Sequence, residues 1–503
     1  MREIKDVIDF IKEGTNKRLP LIGIPDQTPT LEDRLHELIA QEEVPDDKAA
    51  CVVLYGEYPN DSFSALKYRL VQRLYNHLYF IDLENIDRLH HQEEIKAADY
   101  YLKAVILQKL KHYTEASEFF YKSYRIAEKL DLTELRVINL RYLLNNALTL
   151  RQVKEFEEYE KQLAKYEKIL MDEMEAHRLH SKIEMQLTMP LTKQRTVVSN
   201  IKKSLGRIEE LLKKSQSHSI FESYYGLNKR LFELTARYDK LIELTEEAEE
   251  RWRKGKINEK QFDHEKNKIL AIQSHIKSNE VRKGVKLAEK YLPYFKEGDE
   301  NWFIFSYNMV ILENHDLNFI KAYRVLENAT RHKSFNKQSQ ELLEKYALLQ
   351  GYMDIVTRQQ PTEEMFENFK HLPEEEMEVR IDINLLYYIF FLQEKDTKNL
   401  EVLAEKLTNY STKHLRIKEN KRLKNIINLL TCIPKYKYNW ALVKDRSRYL
   451  YNNLLEQPIN EEEKAEVEVI PYEVIWEWAL DLLKSDYKEK RPPRKKKVKK
   501  MKA

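Results

Sequence analysis

Glycine is scarce in this chain, making up 9 of 503 residues, and proline makes up only 14. Average globular proteins contain about 7% glycine and about 5% proline. Rossmann folds, P-loop nucleotide-binding folds, β-propellers and β-sandwiches all need glycine in phosphate-cradling loops or tight turns. The shortage therefore argues against those fold classes, and against any fold built on tight turns.

Cysteines and long apolar runs are also few. Cys51 and Cys432 are the two cysteines, and neither has Cys or His nearby at metal-ligand spacing, which predicts a reducing compartment. The N-terminal residues alternate charged with apolar side chains and lack the apolar core of a signal peptide. The longest strongly apolar uncharged run, 383–393, has eleven residues, whereas a membrane span needs about 20. We therefore expect a cytoplasmic protein without a transmembrane segment.

Charged residues are abundant at 34%, and hydrophobic residues still make up 42% of the chain. Many charges, enough apolar residues and few helix breakers together predict an all-α fold made of thin amphipathic layers. The charge is uneven along the chain. Residues 488–503 contain ten Lys or Arg and one Glu, a net charge of +9, while the whole chain carries +3 and the rest therefore −6.

Residues 97–130 carry the clearest pattern in the sequence. An aromatic and a small residue stand four positions apart in a first predicted helix. A tyrosine follows at the turn, and small and aromatic residues recur in a second helix. The positions are Tyr100, Ala104, Tyr113, Ala116, Phe120 and Ser123. Small residues at a helix crossing, with aromatics around it, fix a close packing angle.

This pattern resembles the tetratricopeptide repeat, a helix–turn–helix unit of about 34 residues. Weaker echoes occur at 154–170, at 318–332 and at 399–410, and the first two repeats are spaced by more than 34 residues. The resemblance implies an α-solenoid of helical hairpins with a groove for a protein partner. In the first repeat the groove-lining residues would be Tyr101, Val105, Gln108 and Lys109. These four lack the basic pair with which some such repeats clamp a C-terminal carboxylate.

Residues 180–283 interrupt the repeat pattern. The spacing of Leu227, Leu231, Leu234, Tyr238 and Leu241 is typical of a coiled coil for two heptads. Gly255 then ends a helix, and Asn258 with Gln261 predicts a capping box for the next one. We therefore expect a long central helical hairpin, with possible self-association through 227–283.

Part of this hairpin, 234–276, contains a Gly-x-Ile turn at 255–257 and an Asn-x-Ile sequence at 267–269. In these features it is similar to the small helical adaptor domains of bacterial conflict-system proteins. The resemblance implies recruitment of a partner by packing of like helices, without catalytic residues.

Composition and pattern divide the chain into six segments. They are an irregular N-terminal region with one helix (1–60), tetratricopeptide-like repeats (61–179), the central hairpin (180–283), a second repeat region (284–440), C-terminal capping helices (441–487) and a disordered basic tail (488–503).

Residue sets that could carry chemistry are few. His177, His180 and Glu184 share one helix face, and a solvated face is the simpler interpretation. Arg73 and His77 lie closer together than the Arg–His pairs of helical ribonucleases. The adjacent pair His90–His91 does not share a helix face. We predict no enzymatic activity, no metal and no cofactor.

The basic tail leaves three interpretations open: a solvated end that aids solubility, an attachment to nucleic acid or ribosomal RNA, or contact with anionic lipid. Its basic positions are Arg491, Arg494, Lys495, Lys496, Lys497, Lys499 and Lys500. The leading hypothesis for the whole protein is a non-enzymatic intracellular scaffold or adaptor that binds a protein partner. The alternatives are a nucleic-acid- or ribosome-associated protein, an adaptor of a bacterial defence or signalling complex, and a helical nuclease.

Overall fold

A computed structural model describes residues 4–5, 7–9, 30–77, 92–189, 196–258, 260–357, 369, 380–415, 421–457 and 468–489. Within these residues the chain is helical and contains no β-strand, which confirms the predicted all-α class. Two compact units divide it, Met1–Met171 and Asp172–Ala503. No helix among these residues combines the length and hydrophobicity that crossing a bilayer requires.

The first unit holds α1 to α6 and the start of α7. The bounds are α1 Leu31–Ala40, α2 Asp47–Tyr55, α3 Asp61–His77, α4 Gln92–Lys109, α5 Tyr113–Lys129, α6 Thr133–Thr149 and α7 Val153–Leu187. Thr30 caps α1 in a capping box with Asp33. The starts of α5, α6 and α7 are 20 residues apart, so two successive helices take up 40 residues there rather than the expected 34 or so.

Buried small, aromatic and polar side chains form the contacts between α4, α5 and α6. Ala104 and Ala116 are fully buried, as are Phe120 and Ser123, so these four predicted inward positions are confirmed. Asn139 Nδ2 donates to Ser123 Oγ at 2.9 Å, and Asn146 Nδ2 donates to Ser117 Oγ at 3.0 Å. Both amides lie on α6 and both hydroxyls on α5, so the hydrogen bonds fix the register of two antiparallel helices.

The second unit contains the rest of α7 and all later helices, most of which contact the next helix in the chain. They are α8 Val197–Ser215, α9 His218–Leu234, α10 Tyr238–Arg253, α11 His264–Lys277, α12 Val281–Tyr291, α13 Glu300–His315, α14 Phe319–Thr330, α15 Gln340–Val356, α16 Ile381–Gln393, α17 Thr397–His414, α18 Lys421–Lys435, α19 Trp440–Glu456 and α20 Tyr472–Glu489, with short 3₁₀ turns at Leu292–Tyr294 and Phe335–Lys337. The last helix, α20, also packs on α16 and α18.

The central segment differs from the long hairpin that its sequence predicts. Residues 197–277 form four helices of ordinary length, and the coiled-coil-like leucine spacing is broken between Leu234 and Tyr238. Ala236 adopts a left-handed conformation there, with φ 50°. Asn258 does not cap α11, because its side chain accepts from Lys260 N while Asp263 accepts from Lys266 N. The helix end at Gly255, with φ 66°, is as expected.

Tight turns between helices are frequent, contrary to the expectation from scarce glycine. In each, a residue in the left-handed conformation follows the helix, and the next N–H donates to a carbonyl five residues back, as in the Schellman motif. His112 N, for example, donates to Leu107 O at 3.0 Å after Lys111. The left-handed residues of this type are Glu42, Lys111, Asp131, Arg151, Ala236, Gly255, Asn279, Leu317, Lys395 and Lys437.

Candidate interaction surfaces

Helix α4 buries two alanines and exposes several of its large aliphatic residues on the opposite side. Its buried residues are Ala97 and Ala104, which lie against the neighbouring helix pair. On another side, four large aliphatic side chains recur at steps of seven, four and four residues and are 37–62% exposed. We call them the α4 stripe: Ile95, Leu102, Ile106 and Leu110. The sequence contains a signal for this stripe, because apolar residues occur on more than one face of α4.

The predicted groove residues of the first repeat lie next to this stripe and have different surroundings. The Tyr101 ring lies 6.0 Å from Phe120 and 6.2 Å from Tyr142, and burial raises the pKa of its hydroxyl. Val105 packs on the same cluster. Tyr101 and Val105 therefore belong largely to the contact between α4, α5 and α6.

The other two predicted groove residues lie nearer the end of α4. Gln108 is half-buried, and its Oε1 atom is buried without a hydrogen-bond partner in the described structure. Lys109 is exposed. The structure thus places all four on one helix but does not make them a single open groove, and the α4 stripe is the surface that the repeat pattern missed.

The histidine-rich face of α7 has no metal-like geometry. His180 lies against Gly226, where an added Cβ would come within 2.9 Å of the imidazole ring. Its Nε2 atom is 3.7 Å from Glu184, whose carboxylate accepts from Arg230 Nε at 3.0 Å. Burial lowers the pKa of His180. Within the described ranges, no group of three or more His, Cys, Asp or Glu side chains could hold a metal ion.

The Arg73–His77 pair lies at the end of α3, in the first unit. Arg73 Nη1 is 3.7 Å from Asp33 Oδ1, so the guanidinium links α3 to the start of α1. Burial, together with the charge of Arg73, lowers the pKa of His77. Arg73 therefore takes part in the packing of α3 against α1.

The Asn-x-Ile sequence of the central segment lies inside the second unit. Lys268 is 2% exposed, its Nζ atom is 3.1 Å from Glu249 Oε1, and the rings of Trp252, Tyr291 and Tyr294 surround it at 4.8–5.6 Å.

The preceding residue, Asn267, continues this buried network. It accepts from the Tyr225 hydroxyl at 2.7 Å and donates to Thr245 O and Glu249 at 3.2 Å. These two polar residues hold α9, α10 and α11 together, so they cannot contact a partner while the unit is folded. Sequence reasoning missed this role, because nothing in the local pattern marks a lysine as buried.

Two predicted features fall outside the described residues: the basic positions of the tail, Arg491–Lys500, and the His90–His91 pair. No known protein family, no curated protein and no solved structure matches this chain.

Proposed function

We propose that the protein is a non-enzymatic intracellular scaffold or adaptor that binds a protein partner through the α4 stripe. The observation that carries the proposal is the orientation of α4, which buries alanines and leaves Leu102, Ile106 and Leu110 in solvent. Contiguous exposed aliphatic side chains are typical of interaction surfaces. Burying a fully exposed side chain of this kind contributes about 1.5–3 kcal/mol, so covering these half-exposed ones would contribute about half as much each.

The rim of the stripe supports recognition of an apolar helix or peptide with an acidic end. Lys109 and Lys111 are exposed at the carboxyl end of α4, where cations are favourable. Lys103 is held by Asp99 at 2.7 Å. An amphipathic partner helix would place its apolar side on the stripe and its acidic residues near Lys109 and Lys111.

A second candidate function is nucleic-acid or ribosome association, which the net charge of +9 in residues 488–503 favours. Scaffold and tail functions are compatible, because α4 and the tail are distant in sequence. A role in a bacterial defence or signalling complex rests on the resemblance of 234–276 and gains no further support from the buried positions of Asn267 and Lys268.

The test is affinity capture from the native cells with the wild-type chain and with a Leu102→Gln/Ile106→Gln variant. A matched control, Leu31→Gln/Val53→Gln, removes exposed apolar groups from α1 and α2. Captured proteins are identified by mass spectrometry, and the partner is then titrated in purified form. We expect the α4 variant to weaken binding about tenfold or more, and the control to bind like wild type. Equal binding by all three proteins contradicts the proposal.

A further inference from the structure

The outer face of α7, within the second unit, carries methionines and basic residues. Met174 and Met185 are 63% and 64% exposed, and Met189 just beyond the helix is 39% exposed. His177, Arg178 and Lys182 are exposed between them. We call Met174, His177, Arg178, Lys182, Met185 and Met189 the α7 methionine face.

Packing of the second unit does not explain these methionines. The side of α7 that faces the core is marked by Ala176 and Ile183, which are 0% and 2% exposed. At about 100° per residue, Met174 and Met185 project close to the opposite direction. Flexible thioether side chains are therefore exposed along about four turns of helix. Packing of the unit does not require apolar residues at these positions.

The acidic side chains next to this face form ion pairs with basic residues of other helices. Arg207 holds Glu175 through two hydrogen bonds of 2.8 and 3.0 Å, and Arg230 holds Glu184. Asp172 accepts from Lys214 at 2.8 Å. By contrast, Arg178 and Lys182 form no direct ion pair in the part of the chain that the structure describes, although the charge of Arg178 helps to lower the pKa of Glu175. The face is therefore apolar along its centre and positively charged along its length.

We propose that the α7 methionine face docks an acidic amphipathic helix of another protein. Methionine side chains are flexible and polarisable, so they adapt to the leucine or phenylalanine anchors of different helices. Carboxylates beside those anchors would pair with Arg178 and Lys182, which explains why the face lacks acids of its own. From Met174 to Met189 the face covers 16 residues, or about 22 Å, which matches a partner helix of roughly four turns.

Charge selects this occupant over two others. A second copy of the chain, packed on the same face about a two-fold axis, would oppose like charges. The chain's own tail is basic and would be repelled as well. The α7 methionine face and the α4 stripe belong to different helices and different units, so the proposal does not depend on the function proposed for α4.

The test uses the full-length chain and a fluorescein-labelled synthetic peptide of about 18 residues. The peptide has leucines at i, i+4, i+7 and i+11 and mainly glutamates elsewhere, which makes it an acidic amphipathic helix. A scrambled peptide of the same composition has the same charge but no apolar stripe, so it measures attraction by charge alone. Binding is followed by fluorescence anisotropy.

Two variants remove the two features of the face: Met174→Gln/Met185→Gln, and Arg178→Glu/Lys182→Glu. Matched controls in the same unit are Ile320→Gln and Lys333→Glu, which alter exposed residues away from α7. All these sites are exposed, so thermal unfolding midpoints should match wild type.

We expect the wild-type chain to bind the amphipathic peptide about tenfold more tightly than the scrambled one. Each α7 variant should lose that difference, and both controls should keep it. The proposal is overturned if the α7 variants bind the amphipathic peptide as wild type does. It is also overturned if the amphipathic and scrambled peptides bind equally well. Because the α4 stripe is proposed to bind the same class of helix, each titration is repeated with Leu102→Gln/Ile106→Gln added, and the result in that background decides. Neither result then bears on capture through α4.

Discussion

At the scale of single residues, a buried charged cluster fixes the C-terminal helix in the second unit. Arg422 donates to both oxygens of Glu468, at 2.7 and 3.0 Å, and to Glu473 at 2.8 Å. Its remaining N–H groups donate to the carbonyls of Leu454 and Gln457. His315 joins the cluster by donating from Nε2 to Glu468 O at 2.7 Å. Since every donor direction of the guanidinium is used, the cluster determines one position for the start of α20.

The histidine of this cluster makes stability depend on pH. Burial and the nearby Arg422 charge lower the pKa of His315, while Glu473 and the hydrogen bond to Glu468 O oppose that shift. The unfolded chain therefore takes up a proton at this histidine at a higher pH than the folded chain does. We expect the stabilisation to be complete above about pH 6.5 and to fall, by up to about 1.4 kcal/mol per pH unit, as the pH decreases further.

Thermal unfolding midpoints of wild type and His315→Gln, compared between about pH 5 and 7.5, check this expectation. Glutamine keeps an N–H donor for Glu468 O but does not titrate. The variant should therefore show a shallower decline at acid pH than wild type. His77 and His180, whose pKa values are also lowered, remain in both proteins and cancel in the comparison. Identical declines would contradict the role given to His315.

Residue-level prediction from the sequence succeeded for apolar positions and failed for buried polar ones. Ala104, Ala116 and Phe120 are readable because helical spacing alone places them inward. Lys268 and Arg422 are not readable in this way. Their burial depends on carboxylates and rings that are distant in sequence or come from other helices. No local sequence pattern predicts which of these groups will be in contact.

At the scale of helices, the turns determine where each element ends. The left-handed conformation costs a non-glycine residue roughly 1–2 kcal/mol, yet nine of the Schellman-type turns in the described ranges use such a residue. The 6→1 and neighbouring backbone hydrogen bonds, with packing of the two joined helices, offset this strain. Helix boundaries such as the one at Ala236 therefore escaped prediction, since neither glycine nor proline marks them.

Relieving that strain should stabilise the first unit. We expect Lys111→Gly to raise its unfolding free energy by about 0.5–1 kcal/mol, because glycine accepts φ 65° without a steric penalty. The Lys111 side chain is exposed, so little packing is lost. Thermal unfolding should show an increase of about 2 °C for a unit of this size.

The matched opposite change is Gly255→Ala, which places a Cβ on a residue with φ 66° in open space. It should lower the stability of the second unit by about 1 kcal/mol. If Lys111→Gly destabilises the protein while Gly255→Ala has no effect, the account of the turns is wrong. A far-UV circular dichroism spectrum unchanged by either substitution would show that the helices themselves persist.

At the scale of the whole molecule, charge is divided between an acidic body and a basic end. The tail supplies +9 of net charge, against −6 for the remaining 487 residues. Helix α20 extends to Glu489, so the basic positions Arg491–Lys500 follow directly after the last helix of the second unit. Deletion of residues 490–503 would remove this charge without changing a described helix.

The fold class could be predicted from the sequence, because apolar residues recur at helical spacing along nearly the whole chain. The identity of a binding partner could not be predicted, because no periodic pattern of residues encodes it.

Deletion of 490–503 should leave the thermal unfolding of both units unchanged and should weaken binding to duplex DNA or RNA, if the tail is the nucleic-acid contact. Filter-binding titrations of both forms at about 50 and 200 mM salt measure this. For a handful of neutralised phosphates, the logarithm of the wild-type affinity should fall with the logarithm of salt at about 0.9 per contact. The deleted form should lose most of that slope along with its affinity. An equal slope in both forms would move the contact to the helical body, where the exposed cations of α7 would be the next residues to change.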